Sequence, residues 1–199
     1  MRIVTIGATG TIGSAVAAEL GDRHALILAS LQRAPERVDI ADPGSIRGLF
    51  DKVGRVDAVV SAAGRAAFKP LADLSDADYE LSLRHKLMGQ VNVLRFGLNS
   101  VADAGSITLT AGFLARYPSV GSAAVSLVNS ALEGLTRAAA LEAPRGIRVN
   151  VVSPPWIVET LQKLGRPPAG GIPVSQVARS YVRSIEGSET GQVFDPRSA

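Results

Sequence analysis

Three glycines near the start of the chain have the spacing of a phosphate-binding turn. A run of strand-forming residues precedes them, and a segment with helical spacing of Ala, Val and Leu follows. In such a strand–turn–helix the glycines let the backbone turn sharply and approach a pyrophosphate, which the N-terminal end of the helix stabilises. The pattern predicts a dinucleotide site rather than an ordinary strand-to-helix turn. The predicted binding residues, two of which are hydroxyl donors, are Gly7, Thr9, Gly10, Thr11, Ile12 and Gly13.

The residues after the second predicted strand indicate which dinucleotide fits. This strand spans residues 24–29 and is followed by Ser30-Leu31-Gln32-Arg33, with no acid before Glu36. An acid at this place binds the ribose 2′-hydroxyl of NAD, whereas an arginine accommodates the 2′-phosphate of NADP. Arg33, helped by Ser30, is therefore predicted to bind that phosphate, because a guanidinium can bind phosphate oxygens in bidentate fashion. NADP is favoured, and the alternative is that Arg33 is an ordinary surface residue.

The remaining segments alternate between strand and helix patterns. Short connections between such segments imply right-handed crossovers and a parallel sheet. The sequence predicts an α/β fold: a Rossmann-type doubly wound parallel sheet of about seven strands, with helices on both faces, in one domain over residues 1–199. Asp42-Pro43 and Ser75 are expected to start helices. Further strands are predicted at 37–40, 56–61, 106–110, 147–152 and 192–194, and further helices at 42–53, 75–97, 121–142 (interrupted by Gly134) and 175–184. A Gly- and Pro-rich flap is expected at 156–172.

Composition narrows the class of protein. The 199 residues are 46% hydrophobic and include no cysteine, so disulfides and zinc–thiolate sites are excluded. No apolar run approaches the length of a membrane span, and the N-terminus lacks a signal-peptide pattern. The formal charge is +3, but the arginines are scattered, which argues against a nucleic-acid or membrane partner. A cytoplasmic protein acting on a small molecule is expected.

Taken in order, these landmarks resemble the short-chain dehydrogenase/reductase family over nearly the whole chain. Ser61-Ala62-Ala63-Gly64 is similar to the family's Asn-Ala-Gly segment, and 130–142 is similar to the helix after its catalytic lysine. The stretch 146–154 matches most closely, with Pro154-Pro155 in place of the family's Pro-Gly. The resemblance implies that the cofactor also contacts Asp39, Ile40, Ser61, Ala62, Ala63, Gly64, Pro154, Trp156 and Ile157.

The family's catalytic residues do not carry over. The family uses a tyrosine for proton transfer and a lysine four residues later, and the resemblance puts Val125 and Asn129 at these positions. No Tyr-x-x-x-Lys occurs anywhere in the sequence. The family's serine falls within Thr110-Ala111-Gly112, where only Thr110 offers a hydroxyl. An unusual acid–base site is therefore expected, with Thr110 and Asn129 as candidate members.

Lys86 is the leading candidate to handle the proton. Lys86-Leu87-Met88-Gly89 parallels the Asn-x-x-Gly of the family, so the lysine replaces the asparagine of the catalytic set. An inward-facing ammonium could donate to a substrate carbonyl or bind a water, and we expect a lowered pKa there; the alternative is a solvated or interface position. Consecutive helix residues point about 100° apart, so only one of His85 and Lys86 is expected to face the site. Tyr117, beyond the fifth strand, is a further candidate acid.

Two functions remain open from the sequence. One is an NADP(H)-dependent oxidoreductase acting on a carbonyl or alcohol of a small molecule, with Lys86 or a water held by Thr110 and Asn129 as the proton source. The other is a non-catalytic NADP(H)-binding sensor or regulatory protein. Because the family pairs the helices corresponding to 121–142 and to the Lys86 segment across a two-fold axis, the resemblance implies a homodimer or homotetramer.

Overall fold

The computed structural model describes residues 1–198, and in them seven parallel strands form one sheet. The strands are β1 Arg2–Ile6, β2 Ala25–Ser30, β3 Glu36–Arg37, β4 Val56–Ser61, β5 Val101–Thr110, β6 Arg148–Val152 and β7 Val193–Phe194. Their spatial order is β3-β2-β1-β4-β5-β6-β7. The order reverses between β1 and β4, where a doubly wound sheet opens a crevice at the carboxyl ends of its strands. The predicted Rossmann-type fold is confirmed.

Helices cover both faces of the sheet. They are α1 Thr11–Leu20, α2 Pro43–Val53, α3 Asp76–Leu81, α4 Gly89–Ser100, α5 Ala123–Glu142, α6 Val158–Lys163 and α7 Val174–Glu186. On one face α1 packs against α7, and on the other α2 packs against α4, with α5 over β6. None of the helices in residues 1–198 is long and apolar enough to cross a membrane.

The central strands are apolar because both of their faces are covered. Ile3 and Val4 are adjacent in β1 and fully buried in two different core clusters, one on each side of the sheet. Ile6, the last residue of β1, lies opposite Ala29 of β2 and Ser61 of β4. The three strands therefore end at the same level, and the loops that follow them meet at one edge.

Two helices differ from their predicted form. The helix predicted at 75–97 extends to Ser100 and contains a π-helical turn, Ser82–Met88, between α3 and α4. Such turns are rare and are found frequently at functional sites. Gly134 does not interrupt α5, since a helix tolerates an isolated glycine and the space beside it is open.

The third strand is shorter than predicted and begins earlier, at Glu36 instead of residue 37. It pairs with β2 over two residues only. The chain turns at Asp39, whose side chain accepts a hydrogen bond from the Ala41 N–H at 2.9 Å while its own N–H donates to Ser45. These local side-chain bonds end the strand before residue 40, because Asp side chains compete with the ladder for backbone groups.

The helix caps follow the sequence except at α7. Asp42 accepts from the Gly44 N–H with Pro43 at the first helical position, and Ser75 forms a capping box, so both predictions are confirmed. Helix α7 begins at Val174, before the predicted Ser175, and the Glu159 carboxylate accepts the Val174 N–H at 2.9 Å. Glu159 lies in α6, within the flap of residues 156–172, which is therefore tied to the rest of the fold.

Candidate functional site

The glycine turn after β1 packs too closely for any side chain. A Cβ on Gly13 would lie 2.1 Å from the Gly7 carbonyl oxygen, and a Cβ on Gly7, whose φ is +86°, would lie 2.7 Å from the Ala62 carbonyl oxygen. Gly10 precedes α1, and no side chain within residues 1–198 caps this helix. The first-turn N–H groups of α1 are thus open, as a bound phosphate requires.

The two threonines of the turn have different environments. Thr11 Oγ1 accepts a hydrogen bond from Lys163 Nζ at 3.0 Å, so a cation lies beside the start of α1. Thr9 instead donates to Ser30 Oγ at 3.0 Å, and Ser30 in turn donates to the Gln32 carbonyl. The hydroxyls of Thr9 and Ser30 therefore tie the turn to the loop after β2.

The smaller of two adjoining cavities, with a volume of about 160 Å³, lies at the ends of β1, β2 and β4. Six of the predicted cofactor residues line it: Gly7, Ser30, Asp39, Ile40, Ala63 and Gly64. Arg33 is outside this lining, on the exposed loop after β2, where its φ of 59° lies in the left-handed region. The residue predicted to select NADP is thus beside the cavity and not in its wall.

A larger cavity of about 930 Å³ adjoins the smaller one, and Gly64 and Arg65 line both. Its wall is largely apolar. It includes the predicted residues Ile12, Gly64, Lys86, Val125, Asn129, Pro154, Trp156 and Ile157. The two cavities form one cleft that begins at the glycine turn and continues under the flap.

Lys86 points into the larger cavity. Its Nζ donates to the Ala111 carbonyl oxygen at 3.3 Å, and its side chain runs so close to Gly64 that a Cβ there would lie 2.7 Å from Lys86 Cδ. Burial lowers the pKa of Lys86 to about 8, because the apolar surroundings disfavour the ammonium. The expected inward direction and the expected sense of the pKa shift are both observed. Near neutral pH this group holds a proton that it can release readily.

Val125 and Asn129 lie one helical turn apart on α5 and both line the larger cavity. Asn129 is 2% exposed, and its Oδ1 has no hydrogen-bond partner within residues 1–198. Its Nδ2 lies against Gly112, where a Cβ would be 2.8 Å away. Unpaired buried polar atoms are uncommon and costly. An amide oxygen in this position suits a ligand hydroxyl.

Thr110 does not face this cavity, contrary to expectation. Its hydroxyl donates to the Ser61 carbonyl at 2.6 Å and lies 2.5 Å from the Tyr181 hydroxyl of α7. Burial raises the pKa of Tyr181, so that phenol stays neutral. Successive side chains of a strand point to opposite faces, so it is Ala111 that reaches the cavity. Ser61 is likewise fully buried, and its side chain lines neither cavity.

Two other predictions about candidate acids change. Tyr117 is 57% exposed and stacks with Phe113, with the Arg197 guanidinium 5.2 Å from its ring centroid, so it is turned toward the C-terminal segment. His85 and Lys86 both reach the cleft, because His85 lines the smaller cavity and Lys86 the larger. Burial and the Arg65 guanidinium, 3.5 Å from Nε2, lower the pKa of His85.

The sequence analysis missed Arg65, Phe68 and Arg166 in the lining of the larger cavity and Lys163 beside the start of α1. Arg65 directly follows Ala63-Gly64, so its place beside the ligand-facing segment was available as a signal. The other three come from looser segments without periodicity, and no local pattern distinguished them.

The cleft fits a nicotinamide dinucleotide. The open end of α1 suits the pyrophosphate, and the glycine cradle leaves no room for a side chain that would displace it. Asn129 lines the larger cavity, and its buried Oδ1 has no hydrogen-bond partner within residues 1–198. The cofactor would be held by the turn from Gly7 to Gly13, by Asp39 and Ile40, and by the residues after β4 and β6.

Comparisons with known proteins agree with this geometry. A family model described as enoyl-(acyl carrier protein) reductase matches residues 7–180. The 2,3-dihydro-2,3-dihydroxybenzoate dehydrogenase of Escherichia coli (strain K12) is 30% identical over 128 residues, which are 61% of this chain and 52% of that protein. The chain thus spans about half the length of that curated relative.

Two solved structures are similar over almost their whole length. The crystal structure of the protein lin1944 from Listeria innocua is 38% identical, with a TM-score of 0.94 and 98% of each chain covered. A small-chain dehydrogenase in complex with NADPH is 27% identical, with a TM-score of 0.86 and coverage of 98% of this chain and 95% of that one. The second of these chains therefore binds NADPH on a closely similar backbone.

Proposed function

The chain belongs to the short-chain dehydrogenase/reductase family, and from this premise we propose that it is an NADP(H)-dependent oxidoreductase acting on a carbonyl or alcohol of a small molecule. Its acid–base site is rearranged, with Lys86 handling the proton. One observation carries the proposal: the Lys86 ammonium lies in the larger cavity, 3.3 Å from the Ala111 carbonyl, with its pKa lowered to about 8.

Different residues of the chain bind the cofactor and position the substrate. The first turn of α1 binds the pyrophosphate, and Lys163 adds a positive charge beside it. The Asn129 amide oxygen accepts a hydroxyl of the bound ligand, which satisfies its unpaired lone pairs. When bound, the reduced cofactor supplies two electrons and one hydrogen to the carbonyl carbon. The protein must then supply the remaining proton at the carbonyl oxygen.

Lys86 supplies that proton. Its ammonium donates a hydrogen bond to the carbonyl oxygen of the substrate and transfers the proton as negative charge develops there. A group with a pKa near the working pH performs this transfer best, and burial brings Lys86 close to that value. In the oxidising direction the neutral amine accepts the proton of the alcohol. Val125 leaves the position of the family's tyrosine apolar, which keeps the lysine desolvated.

The proposed preference for NADP rests on cations at the adenosine end. Arg33 follows β2 and Arg65 lines the smaller cavity, while no acid closes β2 before Glu36. An acid at that point would repel a 2′-phosphate, whereas arginines bind it. The NADPH-bound neighbour supports this assignment by its similar backbone.

A second candidate function is a cofactor-binding sensor without turnover. It is favoured by the residue types at the family's catalytic positions, since Val125 cannot transfer a proton and Asn129 carries no charge. Both functions share the cofactor cleft. They differ in whether Lys86 acts on a substrate, so the test has to address that residue.

The test compares the native protein with the Lys86→Met variant in NADPH consumption over aldehydes, ketones, quinones and imines. Methionine preserves length and removes the charge, so NADPH binding measured by calorimetry should persist. Turnover of any accepted compound should fall by about 10²–10⁴-fold, the usual contribution of a general acid. The control is Lys52→Met, since Lys52 lies on α2 and pairs with Glu36. NADPH binding without consumption of any compound would favour the sensor instead.

We further propose that the protein is a cytoplasmic homodimer or homotetramer. Helix α5 and the π-helical turn leave large apolar side chains exposed, among them Leu127, Leu141 and Met88. Contiguous exposed apolar surface commonly marks an interface. Light scattering at micromolar concentration should give at least twice the mass of one chain, and a single-chain mass would reject the assembly.

A further inference from the structure

The charges in the larger cavity all have one sign. Its lining includes Arg65, Lys86 and Arg166, and no Asp or Glu is part of that lining within the described chain. The rest of the wall is largely apolar. Like charges along a low-dielectric wall produce a positive potential that attracts an anionic group of a ligand.

Arg166 is held in a defined position at this wall. Its guanidinium lies 5.9 Å from the ring centroid of Phe68 and 5.9 Å from that of Trp156, and the two rings meet edge to face at 5.8 Å. Its backbone N–H donates to the Leu161 carbonyl at 2.9 Å. Cation–π contacts with two rings stabilise the planar group where it stands. Within residues 1–198 no carboxylate pairs with Arg166, so its N–H donors remain available.

The other cations of the cleft have ligands nearer to them. Lys163 lies 3.0 Å from Thr11 at the start of α1, where the pyrophosphate binds. Arg65 lines both cavities, so it serves the cofactor as well. Lys86 is the proposed acid. Arg166 is the cation left to the substrate, and its aromatic neighbours form an apolar surface beside it.

We propose that the substrate is an oxo acid: an apolar body that carries the reacting carbonyl at one end and a carboxylate at the other, bound in bidentate fashion by Arg166. This proposal rests on the proposed function, because it takes the carbonyl end to lie at Lys86. Guanidinium and carboxylate match in geometry, and such charge-assisted pairs are the stronger hydrogen bonds. Phe68 and Trp156 then contact the apolar body next to the carboxylate.

The kinetic test uses ω-oxo acids of about four to ten carbons and their methyl esters, with NADPH consumption as the readout. At the best length the acid should exceed its ester in kcat/KM by about 10- to 100-fold, the range of a hydrogen bond to a charged group. Arg166→Gln should remove this difference by raising KM for the acid, with the ester unchanged. The control Arg179→Gln alters an exposed arginine of α7 and should keep the preference.

A binding test makes the outcome independent of turnover. Trp156 is the one tryptophan of the sequence, so its fluorescence reports the Arg166 contact directly. The ω-hydroxy acid, which NADPH cannot reduce, should give a saturating change in the native protein and none in Arg166→Gln, and its methyl ester should give none. Equal responses to acid and ester, or no response to either, would overturn the proposal. Acid-selective binding with no turnover would reject only the proposed oxidoreductase function. Equal turnover of acid and ester would reject only the oxo-acid proposal.

Discussion

The two cavities of the cleft are built in different ways. The smaller one begins at the glycine turn, where the backbone leaves no room for a side chain at Gly7, and its lining also includes Asp39, Ile40 and His85. The larger one is formed by side chains from the π-helical turn, α5 and the flap, among which Lys86 and Arg166 carry the charge. Backbone geometry can bind the same cofactor in many proteins, whereas side chains can be exchanged to suit one substrate. This difference explains how the chain can keep the glycine turn although no Tyr-x-x-x-Lys occurs in its sequence.

The largest effect is expected from a side chain in the glycine turn. In Gly13→Ala the new Cβ would lie 2.1 Å from one backbone oxygen and within 3 Å of two further backbone atoms, none of which can move freely. NADPH affinity measured by calorimetry should fall at least 100-fold. Gly48→Ala is the control, since its Cβ meets open space on α2 and should stabilise the protein by about 0.5–1 kcal/mol. Wild-type affinity in a folded Gly13→Ala variant would show that this turn does not hold the phosphates.

The pH dependence of turnover tests the role of Lys86 in the larger cavity. Carbonyl reduction needs protonated Lys86, so turnover should be level below pH 8 and fall about tenfold per pH unit above it. The pKa of Lys86 in the folded state lies below the 10.5 of a solvent-exposed lysine, so the unfolded chain holds the proton more readily between about pH 8 and 10.5. The free energy of unfolding should therefore rise with pH across this window relative to Lys86→Met. A pH-independent rate up to pH 10 would remove Lys86 from proton transfer.

A smaller effect is expected at the rim of the smaller cavity. Arg33→Ala should remove most of a several-fold preference for NADPH over NADH, because the guanidinium would no longer meet the 2′-phosphate. Arg65→Ala is the informative partner, since Arg65 lines the cavity itself. If only Arg65→Ala loses the preference for NADPH, Arg65 after β4 binds the 2′-phosphate and Arg33 does not. Equal affinity of the native protein for both cofactors would reject the preference altogether.

The smallest effect on turnover is expected at Thr110. Thr110→Val leaves the Ser61 carbonyl and the buried Tyr181 hydroxyl without their partner, which should cost about 1–3 kcal/mol of stability and lower the Tm. Turnover of the folded protein should change less than about twofold, because the hydroxyl does not face the larger cavity. Thr136→Val is the control, since the Thr136 hydroxyl bonds only a carbonyl of its own helix. A large loss of turnover without loss of stability would show that Thr110 takes part in the reaction.

Local patterns in the sequence were sufficient to predict the fold and the glycine turn after β1. The parallel sheet with helices on both faces followed from the alternation of strand and helix patterns, and the cap at Asp42 followed from residue types alone. The requirement for glycine at position 13 arises within one short turn, because a Cβ there would meet Gly7 and Ala8. Such features depend on neighbours in the chain, so the sequence is enough to predict them.

The side-chain arrangement at the larger cavity depends on contacts between residues far apart in the chain. The inward direction of Lys86 follows from packing against Gly64 and Ala111, and Thr110 points to the other face of the sheet, where it bonds Tyr181 of α7. Arg166 meets two rings from other segments, a contact that no spacing predicts. Burial, and with it the lowered pKa of Lys86, exists only after these segments have packed, because desolvation is a property of the assembled surroundings and not of the residue.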